Sequence, residues 1–251
     1  MKILKPIIVL ALVLSALATA VSADGKVHNW YFKQTEKGSR PIVFGGDTMP
    51  DKYDAVYMGA PDEKVIYLTF DAGYGNENLD IILDVLKAEQ VEATFFILPA
   101  IIKYARPALQ RMIDDGHLVA NHTYSHCNMA RLGSKAAVEK ELSALADLYR
   151  ESTGEEMAPY FRPPEGAFTE DTLRYAKELG YTAVFWSFAY ADWDNGKQPD
   201  VESAKKRILD SVHNGEVMLL HPNSAANAAV LGEVIKTLRA EGFTFRRIDK
   251  L

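Results

Sequence analysis

Five polar side chains of the sequence stand at the ends of short apolar runs, or shortly after them. They are Asp71, His122, Arg162, Asp192 and His221. Runs of this kind, rich in β-branched and aromatic residues and bounded by polar residues, are typical of buried strands. Folds built of alternating strands and helices carry their chemistry at the carboxyl ends of the strands. Five such endings in one chain therefore predict one rim and one functional site.

A second histidine follows the first by four residues, in the stretch His122-Thr123-Tyr124-Ser125-His126. On one helical turn, residues at i and i+4 share a face, so both imidazoles can hold one divalent metal ion. A purely structural histidine pair is the alternative. The only cysteine, Cys127, comes next. We interpret it as a packed apolar thiol rather than a ligand, and it can form no intrachain disulfide.

The other residues of the set suit acid–base chemistry. Asp71 is a candidate base, although an aspartate before a helix often serves only as the helix cap. Arg162 can orient a carboxylate through two hydrogen bonds, and His221 is placed to act as a general acid. Asp192-Trp193 pairs a carboxylate with a flat ring of the kind that lines sugar pockets. With a metal ion, this set suits the metal-assisted hydrolysis of a carbonyl compound.

Seven predicted strands alternate with six predicted helices, and these elements must position the site. The strands are predicted at 65–71, 93–98, 118–122, 160–163, 182–188, 217–221 and 243–248. The helices are predicted at 78–89, 101–115, 135–152, 170–179, 201–212 and 225–240. Regular alternation with long connections implies a parallel sheet covered by helices, either a barrel or a doubly wound sheet.

The composition indicates one large α/β domain. The chain has 251 residues, of which 48% are hydrophobic and 25% charged, enough for a sizeable core. We place the domain at residues 65–251 and interpret residues 24–64 as an irregular lead-in whose aromatic residues pack on it. The formal net charge is −6 and no basic cluster is present, which argues against a nucleic-acid partner.

Residues 1–23 have the pattern of a signal peptide. Lys2 and Lys5 give a positive start, residues 7–20 an apolar stretch, and Val21-Ser22-Ala23 a small-residue cleavage site. The apolar stretch is short for a membrane span, so an uncleaved anchor is the less favoured alternative. The pattern predicts an exported protein that has no integral membrane domain after signal cleavage.

Five short motifs, in order along the chain, resemble those of the polysaccharide deacetylases, known also as the NodB homology domain or carbohydrate esterase family 4. They are Thr69-Phe70-Asp71-x-Gly73, His122-x-x-x-His126, Arg162-Pro163-Pro164-x-Gly166, Asp192-Trp193 and Leu220-His221. The resemblance covers about residues 65 to 248. It implies an α/β fold, a distorted (β/α) barrel of about seven parallel strands, and the activity of a carbohydrate N-deacetylase.

The resemblance also implies a role for each motif. Asp71 would be the catalytic base and His221 the general acid. Arg162 would orient Asp71, and Asp192 would tune the acid. The metal ligands would be His122 and His126, the backbone N–H of Glu165 would help to hold the oxyanion, and substrate contacts would come from Tyr74, Pro163, Trp193 and Leu220.

One position departs from the family pattern. Most members have a second aspartate after the base, which is the third metal ligand, whereas this chain has Ala72. Two histidines alone form an open site that water, substrate or Asp71 itself must complete. We therefore expect weak binding of a divalent metal ion, with zinc as the favoured ion.

Several further stretches are similar to the muramic δ-lactam-forming deacetylases of bacterial spore cortex. They are residues 52–59, Asp71-x-Gly73-Tyr74-x-Asn76, Phe185-Trp186-Ser187 and Gly242-Phe243-Thr244-Phe245. The similarity implies removal of N-acetyl groups from N-acetylmuramic acid in peptidoglycan, on the route to muramic δ-lactam. A monomer acting on glycan strands is expected, outside the cell, in the cell wall or in the spore intermembrane space.

Three alternatives stay open. The same chemistry can serve N-acetylglucosamine units of peptidoglycan or of chitin-type chains. The missing ligand at Ala72 makes a catalytically dead glycan-binding protein conceivable. The presence of Asp71, Arg162, Asp192 and His221 argues against it, because a binding protein does not need these four residues together. A two-carboxylate glycosidase using Asp71 and Asp192 also suits a barrel, but it leaves the histidines unexplained.

Overall fold

The computed structural model describes residues 25–45 and 49–251. The predicted signal peptide, residues 1–23, lies outside the described residues. Within the two described ranges, no helix is long and apolar enough to cross a membrane.

Short elements precede the main sheet in the stretch that was expected to be irregular. They are β1 (His28–Asn29), β2 (Tyr31–Lys33), β3 (Ile42–Phe44) and the one-turn helix α1 (Met49–Lys52). Trp30 between β1 and β2 is buried, and its indole N–H donates to the carbonyl oxygen of Trp186 at 2.8 Å. Its ring stacks on Phe185 with 4.6 Å between the ring centroids. This tryptophan therefore joins the segment before residue 65 to the chain beside the parallel sheet.

The rest of the described chain alternates between strands and helices. The elements are β4 (Val65–Ala72), α2 (Glu77–Ala88), β5 (Thr94–Ile97), α3 (Pro99–Tyr104), α4 (Arg106–Asp114), β6 (Leu118–Asn121), α5 (Lys135–Thr153), β7 (Ala158–Phe161), β8 (Ala167–Phe168), α6 (Glu170–Glu178), β9 (Thr182–Ala183), α7 (Val201–Ser211), β10 (Glu216–Leu220), α8 (Ala225–Ala240) and β11 (Thr244–Arg246). Short 3₁₀ turns lie at Met129–Arg131, Pro164–Gly166 and Ile248–Lys250.

Seven strands form one parallel sheet in the order β9-β7-β6-β5-β4-β10, with β11 paired to the first half of β4. The sheet curls because the chain beyond β9 leaves β7 and reaches β10. There the N–H of Leu219 donates to the carbonyl oxygen of Phe188 at 2.9 Å. This architecture confirms the predicted distorted (β/α) barrel of seven parallel strands.

Two predicted elements differ from the structure. The strand expected at 182–188 is regular only at Thr182–Ala183. The residues that follow turn from β7 toward β10 and form only isolated β-bridges. The helix expected at 101–115 is two helices divided at Ala105, whose φ of −124° and ψ of 39° are not helical. Pro107 has no N–H to donate, so it suits the first turn of α4 and not the interior of one long helix.

The side chains of β4 alternate between two apolar layers. One set packs between the sheet and the helices: Ile66, Leu68, Phe70 and Ala72. Val65 and Tyr67 pack inside the barrel with residues of β5, β6 and β10. Asp71 belongs to the same face as Tyr67, so its carboxylate is directed inside the barrel at the carboxyl end of the strand.

Candidate active site

A cavity of about 620 Å³ opens at the carboxyl ends of the parallel strands. Seven of the predicted site residues line it: Asp71, Tyr74, His122, His126, Glu165, Trp193 and His221. Strand ends that are distant in sequence thus meet at one place, as the pattern of polar endings predicts.

Arg162 is the centre of the buried part of this site. It directly follows β7, and its side chain is completely buried. The guanidinium donates to Asp71 Oδ1 at 2.7 Å and to Thr69 Oγ1 at 2.9 Å. It also donates to the carbonyl oxygens of Val184 at 3.1 Å and Phe185 at 3.3 Å. Because these acceptors surround the group, its charge is compensated inside the barrel.

The surroundings of Asp71 favour the ionised carboxylate. Burial is the largest influence and raises the pKa of this carboxyl, but the charge of Arg162, with further contributions from His122, His221 and the Arg162 hydrogen bond, together outweigh burial and hold the pKa below its ordinary value of 3.8. Arg162 occupies Oδ1, whereas Oδ2 lies 3.6 Å from Nε2 of the His122 imidazole. Asp71 therefore has one oxygen fixed and one oxygen turned to the cavity.

His122 is held in one tautomer by the backbone of Arg162. Its Nδ1 lies 2.9 Å from the carbonyl oxygen of Arg162, which can only accept, so Nδ1 carries the proton and Nε2 keeps its lone pair. Burial is the main cause that lowers the pKa of His122 to about 4. A neutral imidazole with a free Nε2 is the form that binds metal ions.

The two histidines of the H-x-x-x-H motif come together, but the predicted helical turn is wrong. Their ring centroids are 5.0 Å apart, and the segment between them is irregular. Thr123 and His126 have φ values of 69° and 54°, in the left-handed region. The side chain of Asn121 accepts from the N–H of Thr123 at 2.8 Å, and Thr123 Oγ1 accepts from the N–H of His126 at 3.1 Å. These local hydrogen bonds replace the helical ones.

The donor atoms suit a divalent ion that is incompletely coordinated. Asp71 Oδ2 and His122 Nε2 are 3.6 Å apart, and two ligands of one tetrahedral zinc ion stand about 3.4 Å apart when each bond is about 2.1 Å. Within residues 25–45 and 49–251, no group of three histidine, cysteine or acidic side chains forms a metal site. Ala72 lies in the outer apolar layer and offers no donor. The residues present therefore fit a weakly held ion beside His126.

His221 and Asp192 form a second charged pair across the cavity. Nδ1 of His221 lies 2.7 Å from Asp192 Oδ1, and the backbone N–H of His221 donates to Asp192 Oδ2 at 2.8 Å. Burial disfavours the charged imidazole, but the hydrogen bond and charge of Asp192 outweigh burial and raise the pKa of His221 above 6.5. His221 thus remains protonated to higher pH than an ordinary histidine.

Asn227 supports this pair and was not found from the sequence. Its side-chain amide donates to Asp192 Oδ2 at 2.6 Å and to the carbonyl oxygen of His221 at 3.1 Å. Its oxygen accepts from the hydroxyl of Tyr190. The one feature of the sequence that could have indicated Asn227 is its position as a polar residue early in an apolar helix, three positions after the cap residue Ser224.

A network of amides holds the aromatic residues at the mouth of the cavity. Asn223 donates to the carbonyl oxygen of Trp193 at 3.1 Å and to the hydroxyl of Tyr74 at 3.3 Å. Asn195 donates to the same hydroxyl at 2.7 Å. Asn223 also was not predicted, since an asparagine after Pro222 looks like an ordinary turn residue.

Glu165 borders the cavity on a tight turn. Its φ is 60°, and the N–H of Gly166 donates to the carbonyl oxygen of Pro163 at 3.0 Å. A β-carbon at Gly166 would lie 2.9 Å from the ring of Trp186, so only glycine fits there.

Besides Arg162 and Asp192, which lie behind the lining, three residues singled out from the sequence do not line the cavity. Pro163 and Leu220 are buried and do not line it. Leu219 lines it instead of Leu220, because neighbouring strand residues face opposite sides. Cys127 is half-buried, does not line the cavity, and packs on the apolar cluster around Phe161. Burial raises the pKa of its thiol.

Comparison with known proteins agrees with this geometry. The sequence model of the family described as polysaccharide deacetylase matches residues 58–184. A 30.6 kDa protein of Geobacillus stearothermophilus is 40% identical over 93% of this chain and 88% of its own length. The peptidoglycan-N-acetylmuramic acid deacetylase PdaA of Bacillus subtilis is 36% identical over 93% of this chain and 89% of its own length. The chain belongs to the polysaccharide deacetylase family.

The solved structures support this membership. The structure of Bacillus subtilis PdaA, a family 4 carbohydrate esterase, matches with a TM-score of 0.87 at 36% identity, over 91% of this chain and 98% of that one. This deacetylase-family chain therefore has the predicted fold and the predicted enzyme class, a carbohydrate N-deacetylase.

Replacing Arg162 by lysine tests the buried ion pair. Lysine keeps the charge but cannot reproduce four directed hydrogen bonds, so we expect Arg162→Lys to lower the free energy of unfolding by about 3 kcal/mol. The control is Arg174→Lys at a partly exposed surface arginine paired with Asp171 and Glu178, where we expect a change within about 0.5 kcal/mol. Urea unfolding measures both, and equal losses would contradict the assignment.

Zinc titration by calorimetry, without substrate, tests the metal site. We expect weak binding to the wild type and a loss of at least about tenfold in affinity for His126→Ala, since one of few donors is removed. His28→Ala, at a histidine that does not line the cavity, serves as the control and should bind zinc like the wild type. Unchanged affinity of His126→Ala would show that the ion is not held there.

Proposed function

We propose that the protein hydrolyses N-acetyl groups of peptidoglycan amino sugars and that its substrate unit is N-acetylmuramic acid. The observation that supports this most is a pair of opposite pKa shifts at one cavity. The pKa of Asp71 is lowered and the pKa of His221 is raised. Amide hydrolysis needs an ionised base and a protonated acid at the same time, and these shifts widen the pH range in which both exist.

In the proposed reaction, Asp71 takes a proton from the attacking water through Oδ2, because Arg162 occupies Oδ1. His221 then gives its Nε2 proton to the leaving amine, while Asp192 fixes the ring through Nδ1. The backbone N–H of Glu165, which borders the cavity, is proposed to donate to the oxyanion.

His122 and His126 are proposed to hold the divalent ion, with zinc as the favoured one and with water or substrate completing its coordination. When bound, the ion polarises the acetyl carbonyl group and a water molecule. His122 can offer the lone pair of Nε2 to the ion because its Nδ1–H donates to the carbonyl oxygen of Arg162.

The choice of N-acetylmuramic acid is supported by the similarity to PdaA, whose name states that substrate. Tyr74 and Trp193 expose their rings at the cavity, where flat aromatic faces suit a sugar ring. From the same similarity we propose that the product lies on the route to muramic δ-lactam of spore cortex.

The proposed location and organisation follow from the sequence pattern. We propose that residues 1–23 direct export, that residues 65–251 form the catalytic domain with 24–64 packed on it, and that a monomer acts on cell-wall glycan strands. Detection of a mature chain that begins after Ala23 in the exported fraction would support the first part, and retention of residues 1–23 would contradict it.

Mass spectrometry of peptidoglycan fragments after incubation with the protein tests the proposed activity. Loss of acetyl groups from muramic units is expected, and closure of the lactam would appear as a further loss of water. Loss of acetyl groups from glucosamine units alone would show that the substrate unit is N-acetylglucosamine and not N-acetylmuramic acid. Cleavage of the glycan chain would indicate a glycosidase, and binding without any mass change would indicate a dead glycan-binding protein.

The pH–rate profile tests the assigned acid. The raised pKa of His221 keeps the imidazole protonated to higher pH, so the alkaline limb of a bell-shaped profile belongs to this residue. Asp192→Asn removes the charge that stabilises imidazolium, and the limb should move to lower pH. The control Asp194→Asn, at an exposed aspartate of the same loop, should leave the limb in place. A limb that stays or moves upward in Asp192→Asn would contradict the assignment.

Removal of the proposed base tests the other half of the mechanism. Asp71→Asn should lower kcat by at least about a hundredfold while binding of the glycan changes little, because the base acts in the transition state. Kinetics and calorimetry on one N-acetylated fragment measure the two effects. Turnover close to that of the wild type would show that another group is the base.

A further inference from the structure

Two Asn-Gly dipeptides occur in the sequence, and they lie in different surroundings. Asn195-Gly196 is in the exposed loop after Trp193, at the mouth of the cavity, whereas Asn214-Gly215 is in the turn before β10. In such a dipeptide the backbone nitrogen of glycine can attack the side-chain amide carbon of asparagine, because glycine has no side chain to hinder the attack. A nearby base, a polarised carbonyl group and an acid would each speed this ring closure.

Asp194 provides a base for the attacking nitrogen of Gly196. The N–H of Gly196 donates to Asp194 Oδ1 at 2.9 Å. A backbone nitrogen is a poor nucleophile while it keeps its proton, and a carboxylate oxygen at hydrogen-bond distance can accept that proton during the attack. The nucleophile and its base are thus already in contact.

Asn223 fixes the orientation of the Asn195 amide and polarises its carbonyl group. Nδ2 of Asn223 donates to the carbonyl oxygen of Trp193 at 3.1 Å and to Asn195 Oδ1 at 2.9 Å. Because the Trp193 carbonyl oxygen can only accept, Asn223 turns its NH₂ group to this side, and Asn195 meets it with its oxygen. This hydrogen bond stabilises the negative charge that forms on Oδ1 when the amide carbon is attacked.

The hydroxyl of Tyr74 lies at the nitrogen that would leave. Nδ2 of Asn195 is 2.7 Å from the hydroxyl oxygen and donates to it in the resting amide. Once the amide carbon has become tetrahedral, the nitrogen carries a lone pair and can accept the hydroxyl proton. Base, carbonyl donor and acid therefore surround the one exposed Asn-Gly dipeptide.

The dipeptide Asn214-Gly215 serves as an internal comparison. The N–H of Gly215 donates to the backbone carbonyl oxygen of Glu63 at 3.1 Å, and Nδ2 of Asn214 donates to that of Pro61 at 3.0 Å. A carbonyl oxygen is a very weak base and has no proton to give. A β-carbon on Gly215 would lie 2.6 Å from the carbonyl carbon of Gly59, so the turn is packed tightly and cannot bend toward a ring.

We propose that Asn195 is a site of self-promoted deamidation, which converts it through a cyclic succinimide to aspartate or isoaspartate. The bond from the Gly196 nitrogen to Asn195 Cγ forms, the bond from Cγ to Nδ2 breaks, and ammonia leaves. Asp194 takes the proton of the attacking nitrogen, Tyr74 gives one to the leaving nitrogen, and solvent returns the proton from the first to the second. Water then opens the ring, adding its hydroxyl to a carbonyl carbon and its proton to the nitrogen.

The product changes the mouth of the cavity. A carboxylate at position 195 cannot donate to Tyr74, and it adds a negative charge two residues after Trp193; both aromatic residues line the cavity. We therefore expect the protein to lose affinity for its glycan slowly as Asn195 is converted. This consequence rests on the proposed function, whereas the modification itself does not.

Peptide mass spectrometry after incubation of the protein in heavy-oxygen water tests the modification without any substrate. Digestion afterwards in ordinary water keeps the label only where a ring was opened during the incubation. Heavy oxygen should enter at Asn195 at least about tenfold faster than at Asn214, because acid and base assistance exists only at the first. Equal rates at the two residues, or no label at Asn195, would overturn the proposal.

Unfolding separates promotion by the neighbours from exposure of the loop. In concentrated guanidinium chloride the rate at Asn195 should fall and the two residues should convert at similar rates, since the folded contacts are gone. In the folded protein, Asp194→Ala and Tyr74→Phe should each slow conversion at least about threefold. The control Tyr31→Phe, at an exposed tyrosine of β2, should keep the wild-type rate. A rate at Asn195 that is no higher in the folded than in the unfolded protein would contradict the assigned roles.

Kinetics on one N-acetylated fragment, before and after the same incubation, test the consequence. KM of the wild type should rise about threefold as Asn195 is converted, because a hydrogen bond at the cavity mouth is lost. Asn195→Ser cannot form the ring, so its KM should stay at its own starting value. An equal rise in both proteins would overturn the effect on binding. A wild type that deacetylates no fragment would contradict the proposed function, and the heavy-oxygen experiment would still decide the modification.

Discussion

The site depends on one buried ion pair, between the guanidinium of Arg162 and the carboxylate of Asp71. Arg162 is completely buried, so its charge requires a counter-charge and a full set of acceptors within the barrel. Asp71 supplies the charge, and Thr69 and two carbonyl oxygens beyond β9 supply the remaining acceptors. The pair thus ties β4, β7 and the chain that closes the barrel to one point.

The same arginine organises more than the base. Its backbone carbonyl oxygen fixes the tautomer of His122, and its guanidinium leaves Asp71 with one free oxygen toward that imidazole. Across the cavity, Asp192 does for His221 what Arg162 does for Asp71, and Asn227 holds Asp192 in turn. Each reacting group therefore has a buried partner of opposite charge, and the two pKa shifts have opposite signs because the partners do. An acid and a base are separated in this way by their surroundings rather than by their residue types.

The positions of the reacting groups could be predicted because they follow from local patterns. Apolar runs that end in polar residues mark strand ends, and parallel strands bring their carboxyl ends to one rim. The geometry of His122 and His126 could not be predicted in this way, since hydrogen bonds that the side chains of Asn121 and Thr123 accept from backbone N–H groups replace the helical turn. Pro107 in the sequence could have predicted that the expected helix divides at Ala105. The short length of β9 could not be predicted, because it depends on where the chain leaves β7 to close the barrel.

The residues that hold the reacting groups in place could not be predicted, for a different reason. Asn223 and Asn227 look like turn and helix residues, and their importance appears only when β10, the loop of Trp193 and α8 are placed together. Ala72 shows the opposite case, because the sequence reveals the absent carboxylate while the structure shows the alanine packed in the outer apolar layer. Sequence patterns thus identify the groups that react, whereas the groups that hold them depend on contacts between distant segments.

Carbon-13 NMR of the Asp71 side-chain carboxyl can show whether Arg162 keeps Asp71 ionised in the free enzyme. The carboxyl signal should be assigned by its loss in Asp71→Asn and followed from neutral pH into acid in the metal-free protein. If Arg162 holds Asp71 ionised, the carboxylate signal persists below the ordinary aspartate pKa of 3.8 for as long as the protein stays folded. A signal that titrates at or above that value would contradict it, because Asp71 would then be an ordinary or partly protonated acid and not a prepared base.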